Sequence, residues 1–204
     1  MRMNRYVSKL IVCLVLGFAS FEVQAQTQQA KVDHARVFFD KLKSLCGKSF
    51  AGKLPEGMRH DDFSGKELVM EVKGCETDRL IVPFYVGDDR SRNWIITYKD
   101  GKLELKHDHR LPNGDSDPVT MYGGTSTNGG FSNMQFFPAD QETADLIDYA
   151  STNVWWITLT DSKFTYNLRR IGSDRYISVE FDLTQEIPTP EAPWGWDRVV
   201  KGKE

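Results

Sequence analysis

The sequence has no excess of positive charge. Its 26 lysines and arginines face 29 acidic residues, for a formal net charge of −3. A nucleic-acid-binding chain needs a basic stripe to displace phosphate counterions, so nucleic acid is not an expected partner. Cysteine and histidine are scarce, three and four residues among 204, which leaves few ligands for a cysteine- or histidine-rich metal site. Beyond residue 25 no apolar run is long enough to cross a bilayer, so no membrane span is expected in the exported chain. There is no internal repeat, no coiled-coil pattern and no linker that would divide the chain. No Ser/His/Asp set can be assembled from spacing. The Gly123-Gly124-Thr125 and Asn128-Gly129-Gly130 runs lack the lysine and the strand–loop–helix context of a phosphate loop, and read as turns. No cofactor motif is present and no cofactor is expected.

Residues 1–25 have the pattern of a signal peptide. Arg2, Arg5 and Lys9 form a basic start, Leu10–Ala19 is a short apolar run, and Val23-Gln24-Ala25 supplies the small residues of a cleavage site. Export to the periplasm or the medium follows, with a single domain over residues 26–204. Cleavage removes Arg2, Arg5, Lys9 and Glu22, so the formal net charge goes from −3 to −5. Two cysteines survive, Cys46 and Cys75, and an even pair in an exported chain reads as one disulfide. Two free thiols or half a metal site are the alternatives. A monomer is expected.

In chain order, Val32, Ala35, Phe39, Leu42 and Cys46 recur at helical spacing, with Phe38 and Leu45 widening the stripe. The spacing predicts an amphipathic helix over 32–46, N-capped by Asp33 and stopped by Gly47. From Lys48 onward the period becomes two. Pro138-Ala139-Asp140 opens one short helix over 141–149. Residues 187–204, with Pro188, Pro190, Pro193, Trp194 and Trp196, read as an extended tail.

The most informative stretch is Arg92–Arg110. Asp100-Gly101 is a two-residue hairpin turn, because glycine accepts the positive φ of a type I′ turn. That turn sets Tyr98 opposite Leu103, Ile96 opposite Leu105, Trp94 opposite His107 and Arg92 opposite His109. Since side chains alternate across a strand, one face is apolar and becomes basic at one end. The other face, with Asn93, Thr97, Lys102, Glu104, Lys106 and Asp108, reads as solvated. Eight to ten short alternating strands joined by tight turns predict an all-β, antiparallel up-and-down barrel. A β-sandwich is second, because it needs Greek-key crossovers.

Gly47-Lys48-Ser49-Phe50-Ala51-Gly52, following a helix, resembles the start of the calycin superfamily, the lipocalin-like and fatty-acid-binding-like barrels. In those chains a helix leads into a Gly-x-Trp strand; here Phe50 stands one position later than that Trp. The resemblance implies a ligand cavity inside the barrel. It carries over no particular ligand and no activity.

If the meander holds, Arg92, Trp94, His107, His109 and Arg170 gather at one mouth, and the loop with Asp115 and Asp117 caps it. The helix plugs the other end. The expected activity is non-catalytic binding of a small, partly hydrophobic anionic molecule. Arg92, Arg170 and a histidine hold its charged head, because the planar guanidinium donates two parallel hydrogen bonds to a carboxylate. Trp94 and Trp156 form an aromatic wall. A second reading is a metal site on His107 and His109, completed by Asp115 or Asp117. A third leaves the histidines as strand-end residues bonded to those aspartates, with Arg92 in solvent. A fourth is an envelope interaction or inhibitor protein with a filled barrel.

Overall fold

In the computed structural model, which describes residues 32–201, the first element is α1 (His34–Lys43). Asp33 caps it, its carboxylate accepting the Arg36 N–H at 2.9 Å. Ala35, Phe38, Phe39 and Leu42 form its buried face. It stops short of the predicted 46 because Ser44–Gly47 continue as turns, ending on Gly47 at φ +82°. The signal-peptide segment 1–25 lies outside the described residues.

Eleven strands follow: β1 (Ser49–Lys53), β2 (Leu68–Glu71), β3 (Gly74–Cys75), β4 (Arg79–Val86), β5 (Asp89–Lys99), β6 (Lys102–His109), β7 (Tyr122–Thr125), β8 (Met134–Pro138), β9 (Asn153–Leu159), β10 (Lys163–Arg170) and β11 (Tyr176–Ile187). Between β8 and β9 lie α2 (Gln141–Leu146) and a 3₁₀ turn, Asp148–Ala150. They form one antiparallel sheet in the order β7-β6-β5-β4-β2-β1-β11-β10-β9-β8, with β3 beside β4. The first and last strands pair, so the meander curls into a nearly closed up-and-down barrel. The two-residue β3 takes the count past the expected ten.

Among the described strands, neighbours in the barrel without a ladder are β7 and β8, which meet at a seam. It is bridged by Asp140 N–H to Gly123 O (3.0 Å) and by Thr143 Oγ1, which accepts from Gly123 N–H (2.7 Å) and donates to Gly123 O (2.9 Å). The two edges come so close that a Cβ on Gly124 would lie 1.8 Å from the Pro138 carbonyl oxygen. Only glycine fits there.

The β5–β6 register pairs Trp94 with His107 and Arg92 with His109 across Asp100 and Gly101, whose φ values of 51° and 72° make the expected turn. Inward side chains fill the barrel's middle with aromatics. Trp94 is sandwiched between Phe84 (4.9 Å) and Tyr166 (4.5 Å), with Phe164 and Phe181 around them. At one end Phe38, Phe39 and Leu42 join this core, and α1 is tied to the surrounding turns by Arg36–Asp78 (2.7 Å), Lys41–Asp161 (2.6 Å) and His34–Ser132 (2.7 Å). The helix therefore plugs that end, as expected. Cys46 and Cys75 are joined as a disulfide.

Two expectations need correction. The outer face of the β5–β6 hairpin is not uniformly solvated: Asn93, Lys106 and Asp108 are buried. Lys106 is held by Asp140 and Glu142 at 2.6 and 2.8 Å, and Asp108 by Arg110 at 2.7 Å. The tail is not simply extended either, since it includes α3 (Trp196–Lys201). It crosses the outside of the sheet: Trp194 N–H bonds Arg90 O, Lys73 sits over the Trp196 ring, and Arg79 bonds the Val199 carbonyl. Ile81, Pro83 and Tyr85, on the outward side of β4, are buried as well.

Candidate functional site

At the mouth opposite α1 the aromatic packing stops and leaves a recess of about 270 Å³. Its floor is Trp94, His107, Trp155 and Tyr166, and its rim carries Arg92, Arg170 and Arg175. The alternation of β5 and β6 aims Trp94, His107, Arg92 and His109 inward, and the β10 register brings Arg170 to the same end, opposite Asn153. The loop between β1 and β2 adds His60, Asp62 and Phe63; the segment after β8 adds Tyr149. In the ten-strand order these two contributions stand four places apart around the barrel.

The histidines are tied into a tyrosine network. His107 Nδ1 lies 3.0 Å from the Tyr122 carbonyl oxygen, an obligate acceptor, so Nδ1 carries the proton. Nε2 then accepts from the Tyr166 hydroxyl at 2.7 Å. Tyr122 in turn bonds His109 Nε2 at 3.1 Å through its hydroxyl, and its ring stacks on His107 at 4.7 Å. Burial pushes His107 down to about 3, and burial with the Arg92 charge pushes His109 down to about 4. Burial pushes Tyr122 up to about 12 and raises Tyr166 as well, although Arg92 and Arg175 pull the other way. All four groups are neutral at pH 7.

The arginines are held differently. Arg92 is ion-paired with Asp89 and lies 6.0 Å from the Phe63 ring centroid. Arg170 donates from Nε to Asn153 Oδ1 at 2.9 Å and rests 4.8 Å over the Tyr149 ring. Among the described residues neither Arg170 nor Arg175 has a carboxylate partner. Asp62 and Asp117 also border the recess, and Asp117 Oδ1 is occupied by the Val119 N–H at 2.7 Å.

The mouth thus brings together five of the six residues picked from the sequence. The exception is Trp156, which faces outward and stacks on Tyr176 at 6.1 Å; Trp155, paired with Leu168, takes the inner position. The cavity implied for the barrel interior is instead confined to the mouth, because aromatics fill the middle. Asp115 does not reach the histidines and pairs with Arg198. Among the described residues neither His107 nor His109 bonds an aspartate. Among the described residues no group of three or more His, Cys, Asp or Glu is placed to hold a metal ion, and both nitrogens of His107 are already engaged. Sequence reasoning missed Tyr122, Tyr149, Trp155, Arg175 and His60. Tyr166 was legible as an inward residue of β10, but not as the histidine's partner.

No helix among the described residues is long and apolar enough to cross a membrane. No protein-family model, curated protein or solved structure matches this chain.

Proposed function

We propose that the protein is an exported, calycin-like binding protein whose mouth recess takes a small, partly hydrophobic anion without chemical conversion. The observation that carries this reading is the pair Arg170 and Arg175, two guanidiniums that have no carboxylate partner among the described residues, on the rim of an aromatic-walled recess. Ligand sites are typically concave and apolar with a few convergent polar groups, and guanidinium is suited to carboxylates and phosphates. The neutral His–Tyr network beneath supplies hydrogen bonds rather than charge. The helix-led barrel supports the calycin reading, and the disulfide supports export to the periplasm or beyond.

The metal reading is less favoured, since His107 has no free nitrogen and Arg92 lies beside His109. Native mass spectrometry of the protein purified from its own host tests the proposal. An organic mass should be retained and be lost in an Arg170→Gln, Arg175→Gln double variant. A chelator-sensitive ion in place of the organic mass would overturn it.

A further inference from the structure

The size and walls of the recess restrict what kind of anion fits. Below the mouth the barrel axis is blocked, because both faces of Trp94 are covered, by Phe84 and by Tyr166. An alkyl chain has no path downward and would leave most of its length in water, forgoing the apolar burial that would otherwise hold it. A cavity of about 150 Å³ is enough for a benzene ring, so about 270 Å³ admits one ring with its substituents. The walls match a flat ring. His60 is backed by Phe63, its ring stacked on it at 4.4 Å, and Tyr149 is 69% exposed apart from the Arg170 guanidinium above it. The β1–β2 loop and the segment after β8 that carry them arise four strand places apart in the ten-strand order, and both border the recess.

The floor also asks for a polar substituent. The contact between Tyr122 and His109 Nε2 uses one proton. In either tautomer the pair retains a second donor, the His109 Nδ1–H or the Tyr122 O–H. His109 and Tyr122 both line the recess, so that donor is available to an oxygen on the ligand.

We infer that the recess selects a planar aromatic carboxylate carrying an oxygen substituent on its ring, over aliphatic acids and inorganic anions. This rests on the anion-binding reading above. The carboxylate lies against Arg170 and Arg175, the ring between the His60 and Tyr149 walls, and the ring oxygen toward Tyr122 and His109.

Titration calorimetry with 4-hydroxybenzoate, decanoate and inorganic phosphate tests it. 4-Hydroxybenzoate should bind saturably, and at least roughly tenfold more tightly than decanoate or phosphate. Tyr149→Ala, at an exposed position that should not disturb folding, should weaken 4-hydroxybenzoate by roughly three- to tenfold, the worth of one aromatic contact. Decanoate or phosphate binding as tightly as 4-hydroxybenzoate would overturn the aromatic selectivity while leaving an anion site. An unchanged affinity in Tyr149→Ala would likewise overturn the ring's placement. Failure of all three anions to bind would overturn the anion reading together with the inference.

Discussion

His107 and His109 link the mouth to the stability of the barrel. Both have folded pKa values near 3 and 4, against an ordinary 6.5, because burial disfavours the imidazolium and Arg92 repels a second cation at His109. Between pH 6.5 and about 4 the unfolded chain therefore binds protons that the folded chain refuses. Their contribution is fully present above pH 6.5 and is lost as the pH falls, at up to roughly 1.4 kcal/mol per pH unit for each histidine. Urea midpoints should fall from pH 7 to pH 5, and His109→Gln should flatten that slope by about one proton. A pH-independent midpoint in the wild type would mean the imidazoles ionise in place. The same mouth shows what a sequence can disclose about single residues. Arg92, Trp94, His107 and His109 were legible because one Asp-Gly turn fixes their register. Adjacent tryptophans are harder, since only parity separates them. The β9–β10 hairpin pairs Leu159 with Phe164, and counting back from there puts Trp155 inside and Trp156 outside.

Among the elements, the seam between β7 and β8 depends on close backbone approach rather than on a ladder. Gly124 has no room for a methyl group against the Pro138 carbonyl, whereas Gly129 would meet only Gly101 O at 3.5 Å. Gly124→Ala should destabilise the protein by ~1–3 kcal/mol or more, the range for overpacking a filled site, while Gly129→Ala should lie within about 0.5 kcal/mol of the wild type. Thermal unfolding of the two variants distinguishes them, and equal melting temperatures would show that the seam can relax. The strands themselves were readable from period-two patterning, and α1 from its stripe and its Asp33 cap. The burial of Asn93, Lys106 and Asp108 was not readable. Their burial depends on segments distant in sequence, with α2 bringing Asp140 and Glu142 onto Lys106 and the C-terminal segment crossing the sheet. Alternation tells which residues share a face, but not what lies over it.

At the scale of the whole molecule, the Cys46–Cys75 bond joins the end of the α1 segment to β3, across a separation of 29 residues. Closing a loop of that length in the unfolded chain is worth about 3–4 kcal/mol in the entropy model. Reduction, or Cys46→Ser with Cys75→Ser, should lower the melting temperature by roughly 10 °C. A shift below about 2 °C would mean that the backbone bonds from Gly47 N–H to Val72 O and from Val72 N–H to Lys48 O already hold that junction. The barrel class was legible from strand spacing, but the position of its break was not. Pairing of the first strand with the last puts that break in mid-chain, at the exposed Thr127 and Asn128 between β7 and β8. Topologically the protein is a plain meander written in rotated order, beginning at β8, passing through the β11–β1 junction and finishing at β7. Cutting the backbone between Thr127 and Asn128 would sever no strand pair. It would divide the chain into two pieces held together by the β1–β11 ladder, the mid-chain seam, the C-terminal segment lying across β4 and β5, the ties from α1 to Ser132 and Asp161, and the shared aromatic core, with Trp94 and His107 on one piece and Tyr166 and Arg170 on the other. The recess would then exist only in the reassembled pair.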